Sequence, residues 1–143
     1  MCVIVDTNTF HKFRKRNNEN MEPLWTWLER RGGKIAYSDT EKLEKEWNRA
    51  GMQDLREQLI QAGKLKKVPP QNVEEKASEL TGMISSDDEH IVALALVAGV
   101  KVLVSYREGD SDLFDDFRDK NLVGGRVYTR KTHTHLLTKD MCP

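Results

Sequence analysis

Apolar residues along the chain fall into two patterns. Short runs with β-branched residues, at Cys2–Val5, Lys34–Ser38 and Lys101–Ser105, read as strands. The last is apolar at every position except its ends, as expected of a strand buried on both faces. A fourth strand is expected over Gly125–Tyr128. Between these runs the apolar positions recur at helical spacing. Asp6 or Thr7 can cap a helix that runs to about Arg16, with Phe10 and Phe13 on one face. A second helix is expected from Pro23 to Arg31, with Pro23 in its first turn and Gly32-Gly33 as its stop. Ser38, Asp39 or Thr40 can cap a long third helix carrying Leu43, Trp47, Ala50, Leu55, Leu59 and Ile60 and ending at Gly63. The segment 64–70 reads as an irregular connection with room for a short strand. Helix resumes over Gln71–Thr81, and again from Asp87 or Asp88 to Gly99, the most apolar helix of the chain. A short helix over Asp112–Lys120 follows, and the tail beyond Thr129 shows no assignable pattern.

Strands alternating with helices predict an α/β fold with a mainly parallel sheet and helices on both faces. Ligands of such sheets sit beyond the carboxyl ends of the strands, where the strand order reverses. Four acids belong to segments that reach that edge. Asp6 follows the first strand, Glu46 lies in the helix after the second, Asp88 stands at a helix start, and Asp110 lies just past the strand ending at Ser105. Carboxylates gathered together repel and call for a cation. Hard oxygen donors suit Mg²⁺ or Mn²⁺, ions that activate water and stabilise a leaving oxygen in phosphodiester hydrolysis.

Composition narrows this picture. A length of 143 residues predicts one domain spanning 1–143. The longest apolar run, Ile91 to Ala98, is about half a membrane span, so no membrane partner is expected. The chain opens directly on CVIVD, without the basic-then-apolar pattern of a secretory signal. Two cysteines, Cys2 and Cys142, make neither a disulfide framework nor a CxxC site, and Cys2 reads as a small apolar core residue. A reducing, cytoplasmic setting is the expectation that follows. Lys+Arg and Asp+Glu number 23 each, which excludes a generic nucleic-acid coat protein, but the charges are segregated. Residues 85–119 hold nine acids against three bases, residues 12–16 hold four bases, and residues 126–139 hold four bases and no acid.

Three segments in order carry a family resemblance. VIVDTN (Val3–Asn8) resembles the opening strand of the PIN domain ribonucleases. DEHIVALALVAGVKVLVS (Asp88–Ser105) is similar to that family's Asp-x-x-Ile-x-Ala-x-Ala helix and the strand after it, which ends in Thr or Ser. DSDLFDDF (Asp110–Phe117) resembles its closing Asp-x-x-Leu-x-x-Asp-Phe element. The order and spacing match across nearly the whole chain. The resemblance implies a three-layer α/β/α sandwich and Mg²⁺- or Mn²⁺-dependent endonucleolytic cleavage of RNA. It places metal acids at Asp6, Asp88 and Asp110, with Asn8 and Ser105 as supporting polar groups. The family's second acid precedes a large apolar residue in the helix after the second strand. Glu46, before Trp47, fits best, with Glu44 and Glu41 as alternatives. In many members the fourth acid lies two residues after the strand-terminal Thr or Ser. Here Arg107 holds that place and a Tyr-Arg-Glu-Gly insertion precedes Asp110, leaving the fourth ligand open between Asp110 and Asp112. Many small members are toxins of toxin–antitoxin pairs, which would give the chain an antitoxin protein as a partner. A homodimer is compatible with the same reading.

Each residue also has a plainer role. Asp6 and Asp88 could cap helices or favour a helix dipole, and Glu46 could be one charge on a solvated face. Asp115, Asp116 and Asp119 read as surface charges, and Trp25, Trp27 and Trp47 as core. Lys12, Arg14, Lys15 and Arg16 could form a solvated face, but their closeness to Asp6 suits a phosphate-binding rim. His133 and His135 are expected to be neither ligands nor acid–base groups. A catalytically inactive module of the same fold, binding RNA or protein, is the alternative that the displaced fourth acid favours. An aspartyl-phosphate enzyme would want an acid where Asn8 stands.

Overall fold

A computed structural model of the chain describes residues 2–106 and 111–138. The strands are β1 (Cys2–Val5), β2 (Lys34–Tyr37), β3 (Leu65–Lys67), β4 (Val102–Val104) and β5 (Arg126–Tyr128). They form one five-stranded sheet in the order β3-β2-β1-β4-β5. Every pairing is parallel, as expected, with Val3 opposite Val102, Ile35 opposite Leu65 and Val104 opposite Tyr128. The irregular segment after Gly63 does contain a strand, β3.

Side chains alternate between the two faces of the pleat, and both faces are apolar. Cys2, Ile4, Ala36, Leu103 and Val127 pack into one core, with Val73 and Ala77, the 91–95 stretch, and Leu113 and Phe117. Val3, Val5, Ile35, Tyr37, Val102, Val104 and Tyr128 pack into the other, with Phe10, Phe13, Trp25, Trp27, Leu28 and Trp47. Two apolar faces explain the unbroken apolar strands. They require helices on both sides, an arrangement compatible with a three-layer sandwich. Cys2 is buried as expected, but it is disulfide-bonded rather than a free thiol.

The helices are α1 (Phe10–Phe13), α2 (Glu22–Arg30), α3 (Glu41–Arg49), α4 (Gln53–Gln61), α5 (Pro70–Leu80), α6 (Glu89–Ala98) and α7 (Ser111–Arg118). Two depart from expectation. The first helix is a 3₁₀ turn over Thr7–Thr9 followed by the single turn α1, not a run to Arg16. An asparagine-rich turn replaces its end, where the Asn18 side chain accepts the Asn20 N–H at 3.0 Å. The long third helix is two helices. Gly51 takes a left-handed φ of +70°, and the N–H groups of Gly51 and Met52 bond back to the carbonyls of Asn48 and Trp47. This is a Schellman stop, and it turns the chain between α3 and α4. Thr40 is the cap of α3, its hydroxyl accepting the Leu43 N–H at 3.2 Å. The unassigned tail holds a 3₁₀ helix over Lys131–Leu136.

Candidate active site

The chain builds β1, β2 and β3 outward in one direction, then returns to place β4 and β5 on the other side of β1. Strand order therefore reverses between β1 and β4, and the carboxyl ends of those two strands are where a ligand is expected. Asp6 follows the last residue of β1 and Ser105 the last residue of β4. The ladder holds them level. The Asp6 N–H bonds to the Val104 carbonyl at 2.9 Å, and the Ser105 N–H to the Tyr128 carbonyl at 3.0 Å.

Their side chains meet across the switch point. The Ser105 hydroxyl lies 3.1 Å from Asp6 Oδ2 and 3.2 Å from Asn8 Oδ1. It has one proton, so it donates to one of the two at a time. Thr9 Oγ1 donates to Asn8 Oδ1 at 2.9 Å and accepts the Tyr106 N–H at 3.0 Å. A polar chain thus ties both strand ends to a buried carboxylate. Asp6 stands at the N-cap of the 3₁₀ turn, but its side chain makes no capping bond. The capping role available from sequence is therefore not the one it plays.

A second acidic pair lies on the same edge of the sheet. Helix α3 leaves the carboxyl end of β2. Helix α6 leads into β4 and, running antiparallel to it, starts at the carboxyl edge. Asp88 is the N-cap residue of α6, again without a side-chain cap bond. Its charge falls on Glu46 of α3. Burial is the largest cause holding the half-buried Glu46 carboxyl above its usual range; Lys42 pulls it down, Asp88 pushes it up, and His90 and Arg49 pull it down. Of the three glutamates compatible with the sequence, Glu46 is the one on which Asp88 is seen to act. Glu41 pairs with Lys45 at 3.0 Å and Glu44 is exposed. His90 bonds Glu74 through Nε2 at 3.1 Å and buries an unpaired Nδ1.

The other residues named from sequence are distributed as follows. Asp110 lies outside the described residues. Asp112 is exposed in the first turn of α7. Asp116, expected on the surface, is 4 % exposed and accepts the N–H groups of Ser85 and Ser86, both at 2.9 Å. It holds the loop that leads to Asp88. The sequence signal was available: Asp116 lies three residues after Leu113 and one before Phe117, on the buried stripe of α7. Arg14 turns to α3, where its guanidinium donates to the carbonyls of Ala50 (2.8 Å) and Gly51 (3.2 Å). Arg16 pairs with Glu29 and covers the Trp25 ring. Lys15 is exposed. Lys12 alone of the four reaches the site's border, with its ammonium 3.4 Å above the Tyr106 ring. Trp25, Trp27 and Trp47 are core residues. Sequence reasoning passed over Thr9, Lys42 and His90.

Asp6, Asn8, Ser105, Glu46 and Asp88 offer only oxygen donors, a set that suits a hard divalent cation. Among the described residues, however, no three His, Cys, Asp or Glu side chains form a single metal-holding group. Nor is any helix long and apolar enough to cross a membrane. Comparison with family models, curated proteins and solved structures returns no match.

Proposed function

We propose that the chain is a PIN-type endoribonuclease that hydrolyses RNA phosphodiesters with Mg²⁺ or Mn²⁺. One observation carries the reading. A buried aspartate stands at the topological switch point of a parallel sheet, bound to a serine and beside an asparagine, in the three segments that resemble that family. Asp6 and Asp88 would hold the ion, with Glu46 and the acid at Asp110 or Asp112 completing the set directly or through water. The bound ion supplies a water of lowered pKa and a counter-charge for the leaving oxygen. The chain's own contribution is to hold these groups still. Ser105 holds the Asp6 carboxylate, with Asn8 as the other acceptor within reach of its hydroxyl, Asp116 fixes the approach to Asp88, and Lys12 brings a cation to the rim.

RNA is the substrate in this reading, an antitoxin protein and a second copy of the chain are the partners, and the cytoplasm is the setting. That setting now rests on the substrate, because the disulfide at Cys2 removes the support of the cysteine reading. A non-catalytic module of the same fold is the second reading. It is favoured by the lack of a three-acid group among the described residues.

Asp6→Asn separates them. A nuclease should lose RNA cleavage by at least about 100-fold, some 2.7 kcal/mol of transition-state stabilisation. It should also lose most of the Mn²⁺-induced rise in melting temperature, which arises because the ion binds only the folded state. Wild-type protein that neither responds to Mn²⁺ nor cleaves RNA is the result expected of the module.

A further inference from the structure

A polar cleft of about 730 Å³ opens beside the acidic site, on the β5 side. Tyr106, the residue after Ser105, forms one wall, and Arg118 of α7, Thr129, Arg130 and His133 form others. Its position follows from the ladder. Ser105 and Thr129 both lie one residue past paired strands, so the cleft begins one strand spacing, about 4.8 Å, from the Ser105–Asp6 contact.

Among the described residues that line this cleft, the one acid, Glu19, is engaged by Lys131 at 2.8 Å. Arg118 and Arg130 form no salt bridge among the described residues. Arg118 lies against the Phe114 ring at 5.6 Å. His133 is oriented by the Thr129 N–H, which donates to its Nδ1 at 3.1 Å, so the neutral ring carries its proton on Nε2. After burial, the charges of Arg130, His135 and Arg118 all work against protonation of this imidazole. Guanidiniums and an imidazole N–H are donors, and the guanidinium fork matches phosphate oxygens.

We propose that this cleft is a phosphate subsite, in which Arg118, Arg130 and His133 hold a backbone phosphate of the RNA strand next to the bond presented to Asp6. This rests on the ribonuclease reading and deepens it. Two of the four bases nearest Asp6 in sequence are committed elsewhere, Arg14 to the end of α3 and Arg16 to Glu29. The strand is therefore gripped from the β5 side and by Lys12.

The test compares full-length wild type, Arg118→Gln/Arg130→Gln, and a control with equal charge loss, Arg30→Gln/Lys66→Gln, whose exposed residues lie outside the cleft. Binding of a single-stranded oligouridine is measured in chelator, where nothing is cut, from about 50 to 200 mM salt. One lost phosphate contact should reduce the magnitude of the log-affinity against log-salt slope by about 0.7. The variant's deficit should then shrink about 2.6-fold across that range, beyond any change in the control. In parallel, inorganic phosphate is titrated while the His133 imidazole is followed by NMR. It should shift to saturation in wild type and not in the cleft variant. Wild type that binds RNA, with equal slopes in the two variants, overturns the subsite and spares the ribonuclease reading. Wild type that binds no RNA removes the ribonuclease reading. The phosphate titration then decides the cleft alone: a saturating His133 shift that needs the two arginines keeps it as a phosphate site, and its absence overturns it.

Discussion

Asp116 and Glu46 are both withdrawn from water, yet the protein treats them in opposite ways. Asp116 is almost wholly buried and receives two backbone N–H groups, one on each carboxylate oxygen. Glu46 is half-buried, its carboxylate forms no hydrogen bond among the described residues, and a second acid, Asp88, acts on it. Burial of a charge is tolerable where donors replace the lost water. Asp116 meets that condition from within the chain, which identifies it as part of the scaffold. Glu46 does not, and a carboxylate held this way beside another suits a partner from outside. The same contrast recurs among the cations. Arg14 is bound to backbone carbonyls, whereas Lys12 lies over an exposed tyrosine at the rim of the candidate site.

The largest effect expected of this contrast is at Asp116. Replacing it with Ala strands two amides, and hydrogen bonds to a charged group are worth about 1.5–3 kcal/mol each. Asp116→Ala should lower unfolding free energy by about 3 kcal/mol in urea titrations, with Asp116→Asn intermediate. A loss below about 0.5 kcal/mol would make Asp116 no more than a surface acid.

The cation pair should divide more gently. Arg14→Ala should cost about 1 kcal/mol of stability through the lost carbonyl contacts and leave the salt slope of RNA binding nearly unchanged. Lys12→Ala should do the reverse, with stability within about 0.5 kcal/mol and a slope smaller by about 0.7. Equal behaviour of the two in both measurements would erase the distinction between scaffold and rim.

The strands and the acids at their ends were readable because each depends on local pattern. Apolar runs such as VIV and VLV mark strands buried on both faces, and Asp6 is fixed by its adjacency to one of them. What escaped the sequence depends on contacts between distant segments. The break at Gly51 lies within a continuous helical pattern, since Ala50, Leu55 and Leu59 keep the spacing that α3 begins. Asp116 looked like one of several acids because its donors, Ser85 and Ser86, are about 30 residues away. Arg14 and Lys12 are nearly adjacent in sequence, so their fates could not be told apart until α3 and Tyr106 were in place. The roles of Glu46 and Asp88 were suggested by resemblance, and only the packing of α3 near the start of α6 couples their charges.

The smallest expected effect is also the most direct probe of Glu46. Burial first, then the Asp88 charge, holds its carboxyl above the usual range, against the opposing pull of Lys42, His90 and Arg49. A carboxyl with a raised folded-state pKa binds more protons folded than unfolded. Its contribution to stability is therefore fully present below the unfolded pKa and is lost as pH rises through the folded value. In chelator, wild type should lose stability across that window, and Glu46→Gln, which cannot ionise, should lose less. The difference between the two proteins, read from urea midpoints at matched m-values, should grow with pH from the unfolded carboxylate range upward and then level off. The His90 charge also acts on Glu46, so Glu46→Gln/His90→Gln against His90→Gln repeats the comparison without it. Mn²⁺ should reverse the order, because a site that uses the ionised carboxylate stabilises wild type and not the variant. A stability difference that stays flat with pH in chelator would mean that Glu46 is an ordinary solvated acid, and the contrast with Asp116 would then be only one of depth.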